Sequence, residues 1–228
     1  MLKKTTVFTK NEELIKEIES FNKYVIEYVH SNHLNHLNHI KNSKINIIDS
    51  DDFIEPVHLN DIEDSKIIII DSDNYMDIKD KYYYIQVLNP NDPHLNGLDS
   101  YIHTDDIKNT IIDLLYAMYG IGLISMDEND VMEVLRNKVF KYYRYELDNP
   151  IDESNSKSII SKLDLKNKNI LLVNYGDKNL SLWEASYLLN EMHTQEHNEL
   201  FIGSYIDESL GDKRIIAFIV EENHSWKK

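Results

Sequence analysis

The sequence predicts an α/β protein: a small α/β unit over residues 1–103, a linking helix over 104–121, and a second unit over 122–222 with a mixed four-stranded sheet packed by helices. Residues 223–228 form a short tail. Three observations carry this reading. Short β-branched or aromatic runs in the first 100 residues end at Asp or Asn-Pro turns, as buried strands of an α/β layer do. An apolar stripe at helical spacing follows, and two glycines stop it. Beyond them strand and helix patterns alternate to the end of the last apolar run.

In the first unit, the strand candidates are Thr5 to Phe8, Ile45 to Ile48, Ile67 to Ile70 and Tyr82 to Leu88. Thr9 and Glu12 have capping-box spacing, and Leu14, Ile18, Phe21, Val25 and Tyr28 recur at helical intervals, so a helix is expected over residues 10–29. Two strands end almost identically, in Ile47-Ile48-Asp49-Ser50-Asp51 and Ile69-Ile70-Asp71-Ser72-Asp73. If they run parallel, their acids gather at the carboxyl edge of the sheet, where open α/β folds place ligands; the plainer account is that Asp and Ser end strands and start turns. Thr104, Asp105 and Asp106 then cap the helix bearing Ile107, Ile111, Leu114 and Met118, which stops at Gly120 and Gly122.

In the second unit, Lys138 to Leu147, Ile170 to Tyr175, Leu200 to Ile206 and Arg214 to Val220 read as strands, and Ser156 to Leu163 and Leu182 to Met192 as helices. The pairs within Tyr82-Tyr83-Tyr84 and Tyr142-Tyr143 alternate faces; core packing is the first explanation, and an exposed member of each pair serving a partner surface is the alternative.

Composition narrows the function. The chain has 228 residues, no Cys, six Gly and four Pro, with 40 acidic against 24 basic side chains and a net charge of −16. Disulfides and thiolate metal sites are excluded. The negative charge, without a basic patch, argues against nucleic acid and anionic membrane as partners. No signal peptide, transit peptide or membrane-length apolar run is visible, so a cytoplasmic location is the expectation. His30, His33, His36 and His39 recur in a Leu-Asn-His repeat, but a three-residue step sweeps around a helix and cannot aim four imidazoles at one ion; an exposed insertion accounts for it better. His193 and His197 lack the Glu of a metalloprotease motif and read as the close of a surface helix. No metal and no cofactor are expected.

Three segments carry a resemblance. Gly176 to Ala185 reads Gly-Asp-Lys-Asn-Leu-Ser-Leu-Trp-Glu-Ala, Phe201 to Asp212 reads Phe-Ile-Gly-Ser-Tyr-Ile-Asp-Glu-Ser-Leu-Gly-Asp, and Gly122 to Val131 reads Gly-Leu-Ile-Ser-Met-Asp-Glu-Asn-Asp-Val. In their order along the chain they resemble the C-terminal part of the FtsZ/tubulin family of filament-forming proteins, over roughly Gly122 to Val220. The second segment reads as a hairpin, with Gly203 allowing close backbone approach and Leu210-Gly211-Asp212 as its turn. The third is similar to the family loop that reaches the nucleotide of the next subunit. The resemblance implies that Asp127 and Asp130 are the two loop aspartates, acting in trans, flanked by the interface residues Ser125, Met126, Glu128 and Asn129; Ser125 stands where the family has Asn. Carboxylates suit that role because they order the water that attacks a γ-phosphate and help hold a cation. Taken alone, the same residues read as a helix start, with Ser125 as cap and Glu128 three residues on.

Family members cradle the phosphates in a glycine-rich loop. Here Gly97 is the only glycine before Gly120, so the nucleotide-binding half is degenerate or absent and GTP binding by this chain alone is not expected. Lys66 to Tyr75 resembles the last strand of the family's nucleotide domain without its Pro. Three functions follow from the resemblance: an interaction partner, cap or regulator of a tubulin-like filament; a partner that completes GTP hydrolysis in trans through Asp127 and Asp130; or a self-associating structural module with no link to GTP.

Overall fold

In the computed structural model the residues described are 4–9, 13, 14, 16, 26–29, 45–49, 65–71, 83–92, 94, 97–120 and 122–222. The chain divides into two compact units, Met1–Ile112 and Asp113–Ser225. The Leu-Asn-His repeat and the residues after Asp49 and Asp71 in the two matching strand ends lie outside the described residues.

The first unit is a parallel sheet. Its strands are β1 (Lys4–Thr9), β2 (Ile26–Val29), β3 (Ile45–Asp49), β4 (Ser65–Asp71), β5 (Tyr83–Leu88) and β6 (Ser100–His103), in the spatial order β2-β3-β1-β4-β5-β6. Every pair in it is parallel. The buried positions of β5 and β6 form unbroken runs rather than alternating, the signature of a sheet covered on both faces. Tyr83 and Tyr84 are therefore both buried, and Tyr83 bonds Ser100 Oγ at 2.6 Å.

The helix expected over 10–29 is shorter. Glu13, Leu14 and Lys16 are helical with Leu14 buried, but Ile26–Val29 is strand β2. Val25 and Tyr28 fit helical spacing, yet the Ile-Glu-Tyr-Val run also has the β-branched, alternating character of a strand, and pairing with β3 decides it. Sequence periodicity also missed β6, whose four residues are too few to show one.

Helix α1 (Ile107–Tyr119) runs from the first unit into the second. Asp106 accepts from Asn109 N at 3.1 Å and Thr104 Oγ1 accepts from Asp106 N at 2.9 Å, so the expected cap residues hold its start.

The second unit holds five strands, one more than expected: β7 (Gly122–Ile124), β8 (Lys138–Leu147), β9 (Ile170–Gly176), β10 (Leu200–Ile206) and β11 (Arg214–Glu221). Their order is β8-β11-β9-β10-β7, and only the β9–β10 pair is parallel. Helices α2 (Glu128–Leu135), α3 (Glu153–Ile160) and α4 (Leu182–Met192) complete it. Ile159, Ile160, Leu188 and Met192 from α3 and α4 pack on Ile170, Leu172, Ile216 and Phe218 in one buried cluster. Alternation along β9 sends Leu171, Val173 and Tyr175 to the opposite face.

The hairpin expected from Phe201 to Val220 does not form: β10 and β11 both pair with β9, which lies between them. The connection is a crossing over one strand. Gly211, at φ 58, supplies the left-handed residue that turns it. Among the described residues no helix is long and apolar enough to cross a membrane, and no group of three His, Asp or Glu could share a metal ion.

Candidate functional site

The segment Gly122 to Val131 leaves α1 as β7, pairs its Ile124 with Ser204 and its Gly122 with Tyr205 of β10, and enters α2. Asp127 is the N-cap of α2. Its Oδ1 accepts from Asn129 N at 2.7 Å and Asp130 N at 3.2 Å, and Asp130 Oδ2 accepts from Asp127 N at 2.9 Å. The capping box is thus Asp127 with Asp130, two residues later than the Ser125 and Glu128 box expected. Pairing of β7 keeps the chain extended as far as Ile124 and delays the helix. Ser125, Asp127 and Asn129 face solvent, Asp130 is half-buried, and Met126 and Glu128 are buried. The outward surface of the segment is therefore polar and acidic from Ser125 onward, with Leu123 also exposed just before it, and Met126 anchors it.

Tyr205 fixes where the loop sits. Its ring is fully buried, its hydroxyl donates to Ala117 O at 2.9 Å near the end of α1, and Met126 N donates to that hydroxyl at 3.3 Å. Three of the chain's six glycines surround this residue. A Cβ on Gly120 or Gly203 would overlap the ring, and one on Gly122 would run into the backbone of Ser204 and Tyr205. Gly203 thus makes room for a side chain on its own strand, which differs from the backbone approach expected.

The same unit holds a buried polar network that sequence reading missed. Asp113 of α1 is fully buried; Tyr142 of β8 donates to it at 2.5 Å, Tyr175 of β9 also donates to it, and Arg144 Nε lies 3.6 Å away. Tyr116 stacks on Tyr175 with centroids 4.7 Å apart and bonds Asp207 at 2.7 Å. Burial, and then the charge of Asp113, raise both the Tyr142 and the Tyr175 phenols far above the ordinary range. An Asp among residues of helical period gave the only hint, since it falls on the apolar side of α1.

A second buried charge set holds the start of α4. Arg214 Nε donates to Glu184 Oε2 at 2.8 Å, Nη1 reaches Asp177 at 3.4 Å, and Glu184 also accepts from Ile151 N at 2.9 Å. Above this anchored first turn stand Leu182, 57 % exposed, and Trp183, 76 % exposed. Large apolar side chains seldom stand in water as an adjacent pair, and Trp is the residue most enriched at binding hot spots. The sequence carried a signal: Ala185, Leu188 and Met192 mark the buried face of α4, and Trp183 lies off it.

In the first unit, Asp49 and Asp71 are both register partners of Thr9, so the two matching strand ends meet on either side of β1 at the carboxyl edge. Nearby in sequence to β6, His94 and His103 join through Nε2 atoms 2.8 Å apart, one donating and one accepting, and His94 stacks on Tyr101. His193 is the C-cap of α4, as a helix-closing residue.

A parallel unit, a helix running on from it, and a mixed-sheet unit entered through a short strand and a capped loop define the FtsZ/tubulin fold. Solved structures carry the same fold. FtsZ from M. jannaschii, in an empty dimer, superposes with a TM-score of 0.65 at 13% identity over 96% of this chain and 88% of that one. A point mutant of the same FtsZ gives 0.63 at 13% identity over 97% and 91%. CetZ1 from Haloferax volcanii, a GDP-bound monomer, gives 0.51 at 8% identity over 99% and 95%. No family model and no curated protein matches the sequence.

Proposed function

We propose that this chain is a tubulin-fold interaction protein that docks on one end of a filament of FtsZ-like subunits and caps or regulates it. The carrying observation is the exposed Leu182 and Trp183 pair on the rigid first turn of α4. A protein with 40 acidic side chains has little reason to keep an indole in water unless a partner covers it. The chain's likeness to FtsZ supplies the class of partner. On this reading residues 1–103 are a remnant of a nucleotide domain, 104–121 the linking helix, and 122–222 the docking domain. The loop residues Ser125, Asp127 and Asn129 form the polar rim of the contact, with Met126 and Glu128 supporting it from inside.

A second reading keeps Asp127 and Asp130 as catalytic groups that complete GTP hydrolysis on a partner. Its support is that the loop is fixed by Tyr205 while Asp127 still faces solvent. Self-association, the third reading, draws on the dimer named for the similar FtsZ.

One assay separates them. Substoichiometric protein added to a cognate FtsZ-like partner should shorten filaments seen by sedimentation, with phosphate release measured on the same samples. Asp127→Ala and Asp130→Ala should alter binding by about 1 kcal/mol or less if the protein only caps. Under hydrolysis in trans they should slow turnover on the order of 10²-fold while binding survives. Filaments unaffected at equimolar ratio would leave self-association, which analytical ultracentrifugation of the chain alone then tests.

A further inference from the structure

Asn174 on β9 and Ser204 on β10 are register partners in the parallel pair, and both are fully buried. Neither Oδ1 nor Nδ2 of Asn174 has a hydrogen-bond partner, and neither does Ser204 Oγ. In a parallel pair, residues opposite one another put their side chains on the same face. Asn174 lies two and four positions after Leu172 and Ile170 and so shares their face, the one covered by Leu188 and Met192 of α4.

The surrounding register positions supply no partner. Ile216 of β11 lies beside Asn174, and Ile124 of β7 lies beside Ser204. One step along β9 on the same face, Gly176 is paired with Arg214, whose guanidinium is already engaged by Glu184, Asp177 and the carbonyls of Asp212 and Lys213. What remains is an amide with two donors and an acceptor beside a hydroxyl with one donor and its lone pairs, flanked in register by Ile216 and Ile124. A side chain buried with both ends of its amide unmet is rare, and the usual resolution is an ordered solvent molecule that takes part in two to four hydrogen bonds. A water can accept from Asn174 Nδ2 and donate to Oδ1 or Ser204 Oγ without bringing a charge into the site.

We propose that an internal water molecule binds between Asn174 and Ser204 and bridges β9 to β10 under α4. It is a constituent of the fold, independent of any partner.

The test is a high-resolution crystal structure of the full chain, with solution NMR on the same protein. The expected results are one water peak within hydrogen-bonding distance of both the Asn174 amide and Ser204 Oγ, and a cross-peak between water and the Asn174 side-chain amide protons. Asn174→Leu with Ser204→Ala should abolish both signals. A direct Asn174 to Ser204 hydrogen bond without a water peak would overturn the proposal, as would either side chain bonded to another protein group. If the double variant does not fold, the wild-type density and cross-peak decide the matter.

Discussion

The phenol of Tyr205 occupies the space that a side chain on Gly203 would take, two residues earlier on β10. That relationship ties the loop of Asp127 to the end of α1, since one hydroxyl serves both Ala117 O and Met126 N. Tyr205→Phe removes both hydrogen bonds and keeps the ring. The expected loss is about 1–2 kcal/mol of stability in denaturant unfolding. Hydrogen exchange should accelerate at the backbone amides of residues 122–130, with little change in α3 or α4. Gly203→Ala, which inserts a methyl against the ring, should cost about 1–3 kcal/mol. Unchanged exchange in the loop of Tyr205→Phe would show that the loop is held by other means.

The identity of the helix cap is directly measurable. Asp127→Ala should destabilise the protein by about 1 kcal/mol, because two amides of the first turn lose their acceptor. Ser125→Ala should fall within about 0.5 kcal/mol of wild type. The reverse order in thermal denaturation would return the cap to Ser125.

Asp113 holds two buried phenols and stands beside Arg144. Asp113→Ala should therefore cost about 3–5 kcal/mol, as removal of one partner from a buried charged network does. The same network sets the alkaline limit of stability. The unfolded chain releases the Tyr142 and Tyr175 protons as the pH passes about 10, whereas the folded chain retains them. The unfolded state then binds fewer protons, so stability falls as pH rises from there, by about 1.4 kcal/mol per pH unit for each phenol. Phenolate absorbance should show that tyrosines including Tyr142 and Tyr175 ionise only when circular dichroism reports unfolding. Both ionising reversibly in the folded protein near their ordinary value would contradict this.

Trp183→Ala should leave stability within about 0.5 kcal/mol of wild type, since three quarters of the side chain is already in water. As the centre of a docking contact it should weaken partner binding by about 2 kcal/mol or more, close to thirtyfold. Equal affinity in a co-sedimentation titration would exclude α4 from the contact.

Much of the second unit was legible because its elements are long and periodic. Leu182–Met192 and Leu200–Ile206 have the bounds that their patterns imply. Short elements and pairings were harder to read. β7 has three residues and its pairing depends on a strand eighty positions away, so nothing local marks it. The hairpin reading failed because a turn sequence says that the chain reverses, not that the strands on either side meet. At the loop, residue types showed that carboxylates would gather, but which of them caps α2 depended on where β7 ended. Tyr205 and Asp113 stayed hidden for a related reason: each acts through neighbours distant in sequence. In the first unit the matching ends at Asp49 and Asp71 were readable as strand ends, and the parallel pairing through β1 is what brings them level with each other on its two flanks.

The position of β11 has a consequence for the order in which the second unit can form. Both β8 and β9 hydrogen-bond to β11, yet both precede it in the chain. During synthesis, β9 with its run Ile-Leu-Leu-Val emerges with both edges open, gains β10 on one side first, and waits for residues 214–221 on the other. While Ile206 has left the ribosome and residues 214–221 have not, an apolar strand edge stands ready to pair with another nascent chain.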